Sequence, residues 1–318
     1  MTNPAFPAEM KPQFSGHETF PLRYGWLKKV HDAVRESEQQ DTDTKQVFVA
    51  RDAIARFGVG KNMVASMRYW ALAAGMLAEV RAHLGPYVTT ATAKKILSSD
   101  GIDPWMEDPA TLWLLHWQFA STPERTSTWY WVFNHCPHAT FDRPLIVEYL
   151  SRLCAERALK VAAATLKRDV ECFIRTYVER AGADTKEDSL ECPLTELGLI
   201  RATGRRDTFQ IVRGPKATLS EGLFVHALAD YWQREHQEAR TLSFNAIMHS
   251  PRSPGRVFAL DDESLSDYLM ALDTATEGAL VWSETAGMRQ LICNVEPQAL
   301  DVAAYLGLAY QNQQKKAA

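Results

Sequence analysis

The run Phe14-Ser15-Gly16-His17-Glu18-Thr19-Phe20, followed by Arg23, Trp26, Leu27 and Lys28, sets an imidazole beside a carboxylate between two aromatic residues. His17 and Glu18 are a candidate general base and acid, or a metal-binding pair, and Arg23 and Lys28 add cations for an anionic substrate. A plainer reading has His17 and Thr19 capping a helix from Leu22 to Val34 while Phe14 and Phe20 pack. Asn134-His135-Cys136-Pro137-His138 gathers three potential metal ligands, but a structural zinc site takes four and no second pair stands at a suitable spacing. Asp261-Asp262-Glu263 could hold Mg²⁺ for phosphodiester cleavage, or cap a helix. Gly58-Val59-Gly60-Lys61 fails as a phosphate loop, which needs four residues between its glycines and a Ser or Thr after the Lys. No Ser-His-Asp or Cys-His arrangement follows from spacing.

These residues need elements to hold them. Val47 to Phe57 has helical spacing and stops at Gly58. A second helix from Lys61 to Ala74 places Met63, Met67, Trp70 and Ala74 on one stripe, with Lys61, Asn62, Ala65, Ser66, Arg68 and Tyr69 on the opposite arc. A helix start flanked by cations with nothing bulky in the way is what a recognition helix brings to a DNA groove, and Leu77 to Thr90 would return as a wing. Asp142 and Pro144 open a further helix to about Leu159, followed by one with Leu166, Val170, Phe173 and Tyr177 inward and Lys167, Arg168 and Arg175 outward. Leu199 to Arg201 and Phe209 to Val212 bracket a hairpin tip carrying Arg205 and Arg206. A third such unit spans Phe244 to Cys293: a helix at Asn245 to His249, another from Asp261, and a hairpin from Leu280 to Ile292. Its acidity points to protein contact or packing. Trp105, Trp113, Trp117, Trp129 and Trp131 could stack nucleobases, but their apolar neighbours favour a core.

The expected fold is therefore mainly α (α+β), with tandem winged-helix-like helical units and short β-hairpins. Three domains are expected: residues 1–125, 126–216 and 217–318. The 318 residues carry a net charge of −4 and are 46% hydrophobic, which excludes collagen-like, mostly disordered and disulfide-scaffold classes. The average hides polarity: residues 47–97 hold seven Lys or Arg against two acids, whereas 261–318 hold three against nine. Five cysteines without a Cys-x-x-Cys pair read as reduced thiols, and no leader or membrane span is expected, so the expected location is cytoplasmic.

The strings FSGHETFPLRYGWLKK and GVGKNMVASMRYWALAAGML resemble a bacterial family catalogued as domain of unknown function 4007. The similarity continues through DGIDPWMEDPATLWLLHWQFA, TLKRDVECFIRTYV, EDSLECPLTELGLI and SPGRVFALDDESL, about Phe14 to Tyr310. The resemblance implies a component of a DNA phosphorothioation defence system (Ssp/Dnd-type), encoded beside a cysteine desulfurase, an ATPase and a reductase-like sulfur transferase. It implies DNA binding with nicking of one strand for sulfur insertion, and a divalent metal such as Mg²⁺ would accompany nicking. The alternative it leaves is a non-catalytic DNA-binding adaptor that recruits the sulfur-transfer enzymes through its C-terminal part. No family motif names catalytic residues; His17 and Glu18 are the candidates, with Arg23, Lys28, Lys61, Asn62, Arg68, Lys167, Arg168, Arg205 and Arg206 as DNA contacts.

Overall fold

Apolar residues at helical spacing make the first element, α1 (Trp26–Gln39), which buries Trp26, Leu27, Val30, Ala33 and Val34 on one face. A computed structural model describes residues 5–7, 9–49, 51–81, 85–179, 192–204, 207–285 and 287–310. Helices dominate, and the strands form small sheets.

After α1 come α2 (Gln46–Val49), α3 (Ala53–Phe57) and α4 (Lys61–Ala73), then the antiparallel hairpin β1 (Leu77–Glu79) and β2 (Tyr87–Thr89), and α5 (Ala91–Leu97). The single helix expected over 47–57 is two short ones, for a packing reason. Phe48 and Phe57 stack with ring centroids 5.9 Å apart. Nine residues of unbroken helix would set them on opposite faces, so the break lets them meet. Gly58 closes α3 in the left-handed region at φ 67°.

Helices α6 (Pro109–Ser121) and α7 (Ser127–His135) lead to strand β3 (Thr140–Asp142), α8 (Arg143–Glu156) and α9 (Ala163–Tyr177). The Asp142 carboxylate accepts the Leu145 N–H at 2.8 Å, the cap its sequence predicts. A 3₁₀ turn over Pro193–Leu197 precedes β4 (Ile200–Ala202) and β5 (Thr208–Ile211), and β5 sits between β3 and β4 in one sheet.

The same order recurs in α10 (Glu221–Glu235), β6 (Thr241–Ser243), α11 (Phe244–His249), α12 (Pro254–Val257), α13 (Asp262–Ala275), β7 (Leu280–Thr285) and β8 (Met288–Cys293). Its sheet order is β6-β8-β7: here too the strand before the helices pairs with the last strand of the hairpin. A 3₁₀ turn at Pro297–Ala299 and α14 (Val302–Leu308) follow. Of the tryptophan-rich run, Trp113, Trp117, Trp129 and Trp131 are core, and only Trp105 is exposed.

The chain forms two compact units. One comprises Met1–Glu107, Pro123–Trp129 and His138–Gln210; the other comprises Asp108–Thr122, Tyr130–Pro137 and Ile211–Ala318.

Candidate functional site

The signature run folds as a loop ahead of α1 whose side chains split between core and solvent. Gly16 has φ 116°, and a Cβ there would lie 2.7 Å from Tyr69 Cδ2 on α4, so only glycine fits. His17 is 2% exposed, whereas the next residue, Glu18, is on the surface. Glu18 and Thr19 both hold left-handed backbone, φ 48° and 66°, a conformation that costs non-glycine residues energy and persists only when the surroundings enforce it.

His17 supplies that enforcement. Its Nδ1 accepts the Thr19 N–H at 3.1 Å and its backbone carbonyl accepts the Phe20 N–H at 2.9 Å, closing the turn. With Nδ1 an acceptor, Nε2 carries the proton and donates to Asp169 Oδ1 on α9 at 2.7 Å. Asp169, 1% exposed, takes its second bond on Oδ2 from the Thr128 hydroxyl at the start of α7. The imidazole lies against Trp70 (centroids 6.3 Å), with Tyr69 and Trp129 edge-on at 5.7 and 6.1 Å. Trp70 Nε1 donates to the Phe20 carbonyl at 2.9 Å and the Tyr69 hydroxyl to the Arg125 carbonyl at 2.7 Å. Burial, with the Asp169 charge adding to it, holds the Tyr69 hydroxyl pKa well above its ordinary value. His17 and Glu18 are thus adjacent in sequence but not paired. His17 does not cap α1 either: the cap position is Gly25, which has no side-chain cap.

The cations divide between surface and interior. Lys167 and Arg168 are exposed on α9 immediately before Asp169, and Arg175, two turns on, donates to the Thr19 carbonyl at 3.4 Å. Lys61 and Asn62 are exposed at the start of α4, whose cap residue Gly60 brings no side chain to the first N–H groups. Arg68 is half-buried, 6.0 Å from the Tyr87 ring. The solvent arc expected for α4 is narrower than its spacing suggests, because Ser66 and Tyr69 are buried where the signature loop crosses that flank. Arg23 is half-buried between Phe20 and Trp26, 5.9 and 5.7 Å from their rings. Lys28 is 5% exposed, with Nζ bonded to Asp32 at 2.6 Å, and so lies below the surface a phosphate would touch. Arg205 and Arg206 fall outside the described residues.

The other candidate ligand groups do not converge. Among the described residues no three His, Cys, Asp or Glu side chains gather as a metal site. His135 is held to a pKa of about 4, first by burial and then by the Arg256 charge. Asp261 caps α13, accepting the Ser264 N–H at 2.9 Å. Asp169 and Thr128 escaped the sequence reading. The available signal was a carboxylate beside Leu166 and Val170 on the buried stripe of α9. Its partner lies 152 residues away, beyond any local pattern.

The DUF4007 family, described as a protein of unknown function, matches residues 14–310 of the chain. Two solved structures are similar to it, one described as a crystal structure of SspB and the other as magnesium ion-bound SspB. Each is 29% identical with a TM-score of 0.83, over 96% of this chain and 90% of the other. No curated protein matches. No helix among the described residues is long and apolar enough to cross a membrane.

Proposed function

This chain belongs to the DUF4007 family, and on that premise we propose that it is the DNA-binding component of a phosphorothioation system and nicks one strand for sulfur insertion. It would act with a cysteine desulfurase, an ATPase and a reductase-like sulfur transferase, as the family resemblance implies. One observation carries the reading: the His17–Asp169 hydrogen bond ties the strained signature loop to the helix whose outer face bears Lys167 and Arg168. The likeness to SspB, one structure of which is magnesium ion-bound, supports it.

A strand, two helices and a hairpin whose last strand returns to the first is the plan of a winged helix-turn-helix; the run β3, α8, α9, β4, β5 with sheet order β3-β5-β4 supports that reading for this unit, whereas three helices stand between β6 and the β7–β8 hairpin. On this reading α9 is a recognition helix and the β4–β5 hairpin its wing, while α4 with β1–β2 forms a second DNA-facing unit through Lys61, Asn62 and Arg68. Lys167 and Arg168 hold backbone phosphates, and Glu18 is the group presented to the scissile bond. His17, with both ring nitrogens engaged inside, is a positioning residue for Glu18. Mg²⁺ is bound through one or two carboxylates together with substrate phosphates and water. Glu18, an exposed carboxylate, fits that donor set with substrate phosphates completing it, and the ion would supply charge neutralisation at the phosphate.

Fluorescence anisotropy of a labelled duplex across a salt series tests the DNA reading. Affinity should fall steeply with salt and should drop in a Lys167→Ala, Arg168→Ala double variant. No binding at low salt would contradict it.

A second reading has its own observation. The outer face of α13 is acidic, with Asp262, Glu263, Asp267 and Asp273 exposed around Met270, so this third unit repels phosphate and suits a cationic protein surface. That favours a non-catalytic adaptor recruiting the sulfur-transfer enzymes. Under it, plasmid stays intact, and Glu263→Lys with Asp267→Lys abolishes co-purification with those enzymes.

A further inference from the structure

The outward face of α9 is not uniformly basic. Arg168, Glu171 and Arg175 stand at i, i+3 and i+7, so a carboxylate sits within the cationic stripe. A second carboxylate, Asp207, is exposed at the end of the β4–β5 turn, immediately before β5. Acids at these two places would repel a phosphate backbone. One guanidinium holds both. Arg143, the first residue of α8, donates through Nε to Glu171 at 2.6 Å and through Nη1 to Asp207, and its Cζ lies 4.8 Å from the Phe209 ring centroid on β5. Neither carboxylate has another cationic partner among the described residues. Asp142, the acid next to Arg143 in the chain, is spent on the α8 cap instead. The side chains of Arg143, Glu171 and Asp207 are 28%, 43% and 52% exposed, and ion pairs so open to water contribute little to stability. Their charge matters more to whatever approaches this surface.

We propose that Arg143 is a positioning residue of the DNA face, which offsets Glu171 on α9 and Asp207 on the hairpin so that a phosphate backbone can lie against both elements. One guanidinium against two carboxylates leaves a single negative charge, which Lys167, Arg168 and Arg175 outweigh. Without Arg143 both carboxylates act on the same phosphates. The inference rests on the DNA-binding reading of α9 and adds to it three residues which that reading leaves unused. It does not depend on nicking.

Fluorescence anisotropy of a labelled duplex with the full chain tests it. Arg143→Ala should weaken binding about fivefold at low salt, the order expected for unit charges facing phosphates through water, and the gap to the wild type should narrow as salt rises. Arg143→Lys keeps the charge and should recover most of the affinity. The decisive variant combines Arg143→Ala with Glu171→Gln and Asp207→Asn. It should bind at least as tightly as the wild type, because the repelling carboxylates are gone, whereas a merely structural role for Arg143 would leave it weak. Far-ultraviolet circular dichroism should match the wild type in every variant. If the wild type binds and Arg143→Ala binds equally well, the proposal is overturned and the DNA reading stands. A triple variant as weak as Arg143→Ala would overturn it in the same way. No binding by the wild type at low salt would overturn both.

Discussion

At the scale of single residues, adjacent His17 and Glu18 do different work. His17 spends its ring on the fold, bonding Thr19 through one nitrogen and Asp169 through the other, and leaves Glu18 outside on strained backbone. Their stabilities should differ accordingly. Removing the imidazole leaves the Asp169 carboxylate buried with only part of its bonding, which costs about 3 kcal/mol, so His17→Ala should melt roughly 5–10 °C below the wild type. Glu18→Gln, at an exposed position, should stay within about 0.5 kcal/mol. Scanning calorimetry checks both, and equal melting temperatures would contradict the positioning role. Gly16→Ala should be as harmful as His17→Ala, because the added Cβ meets Tyr69 and the backbone there is left-handed. The sequence showed His17 and Glu18 as an unusual pair but not which faced inward. That depended on Asp169, reached only through tertiary packing.

At the scale of elements, what local chemistry dictates was legible. Gly58 ends a helix, Asp142 caps one, and the 166, 170, 173, 177 stripe buries α9. The hairpins expected over 77–90, 199–212 and 280–292 have their strands paired there. What sequence could not show were contacts between distant segments: the Phe48–Phe57 stack that splits one expected helix, and the loop that covers Ser66 and Tyr69 on α4. Burial of Lys28 has the same origin, since its ammonium sits by Trp105 and Asp32. The helices carry their own test. If Lys167 and Arg168 each neutralise a duplex phosphate, removing both should lower the slope of log affinity against log salt by roughly 2. Lys61→Ala with Arg68→Ala should lower it independently if α4 also meets DNA. Unchanged slopes in both variants would move the DNA contact elsewhere.

At the scale of the whole molecule, the net charge of −4 averages a basic stretch over 47–97 and an acidic one over 261–318. The basic stretch and the α9 cations fall in one compact unit, and the acidic α13 face falls in the other. That second unit also holds histidines kept neutral by burial. His116, bonded to the Val257 carbonyl at 2.7 Å, has its pKa pushed down to about 3, and His135 to about 4. Between those values and the unfolded value near 6.5, the unfolded chain binds protons that the folded one refuses. Stability is therefore complete above pH 6.5 and falls as pH drops toward 4, by up to about 1.4 kcal/mol per pH unit for each histidine. Urea denaturation from pH 7 to 4 measures this, and His116→Gln should flatten the profile. The proposed nicking belongs to the other unit, where the His17-braced loop leaves Glu18 at the surface. Incubating supercoiled plasmid with Mg²⁺ tests it most directly. Wild type should convert plasmid to open circle, while Glu18→Gln should bind DNA normally but leave the plasmid supercoiled. Nicking by Glu18→Gln at the wild-type rate would contradict it.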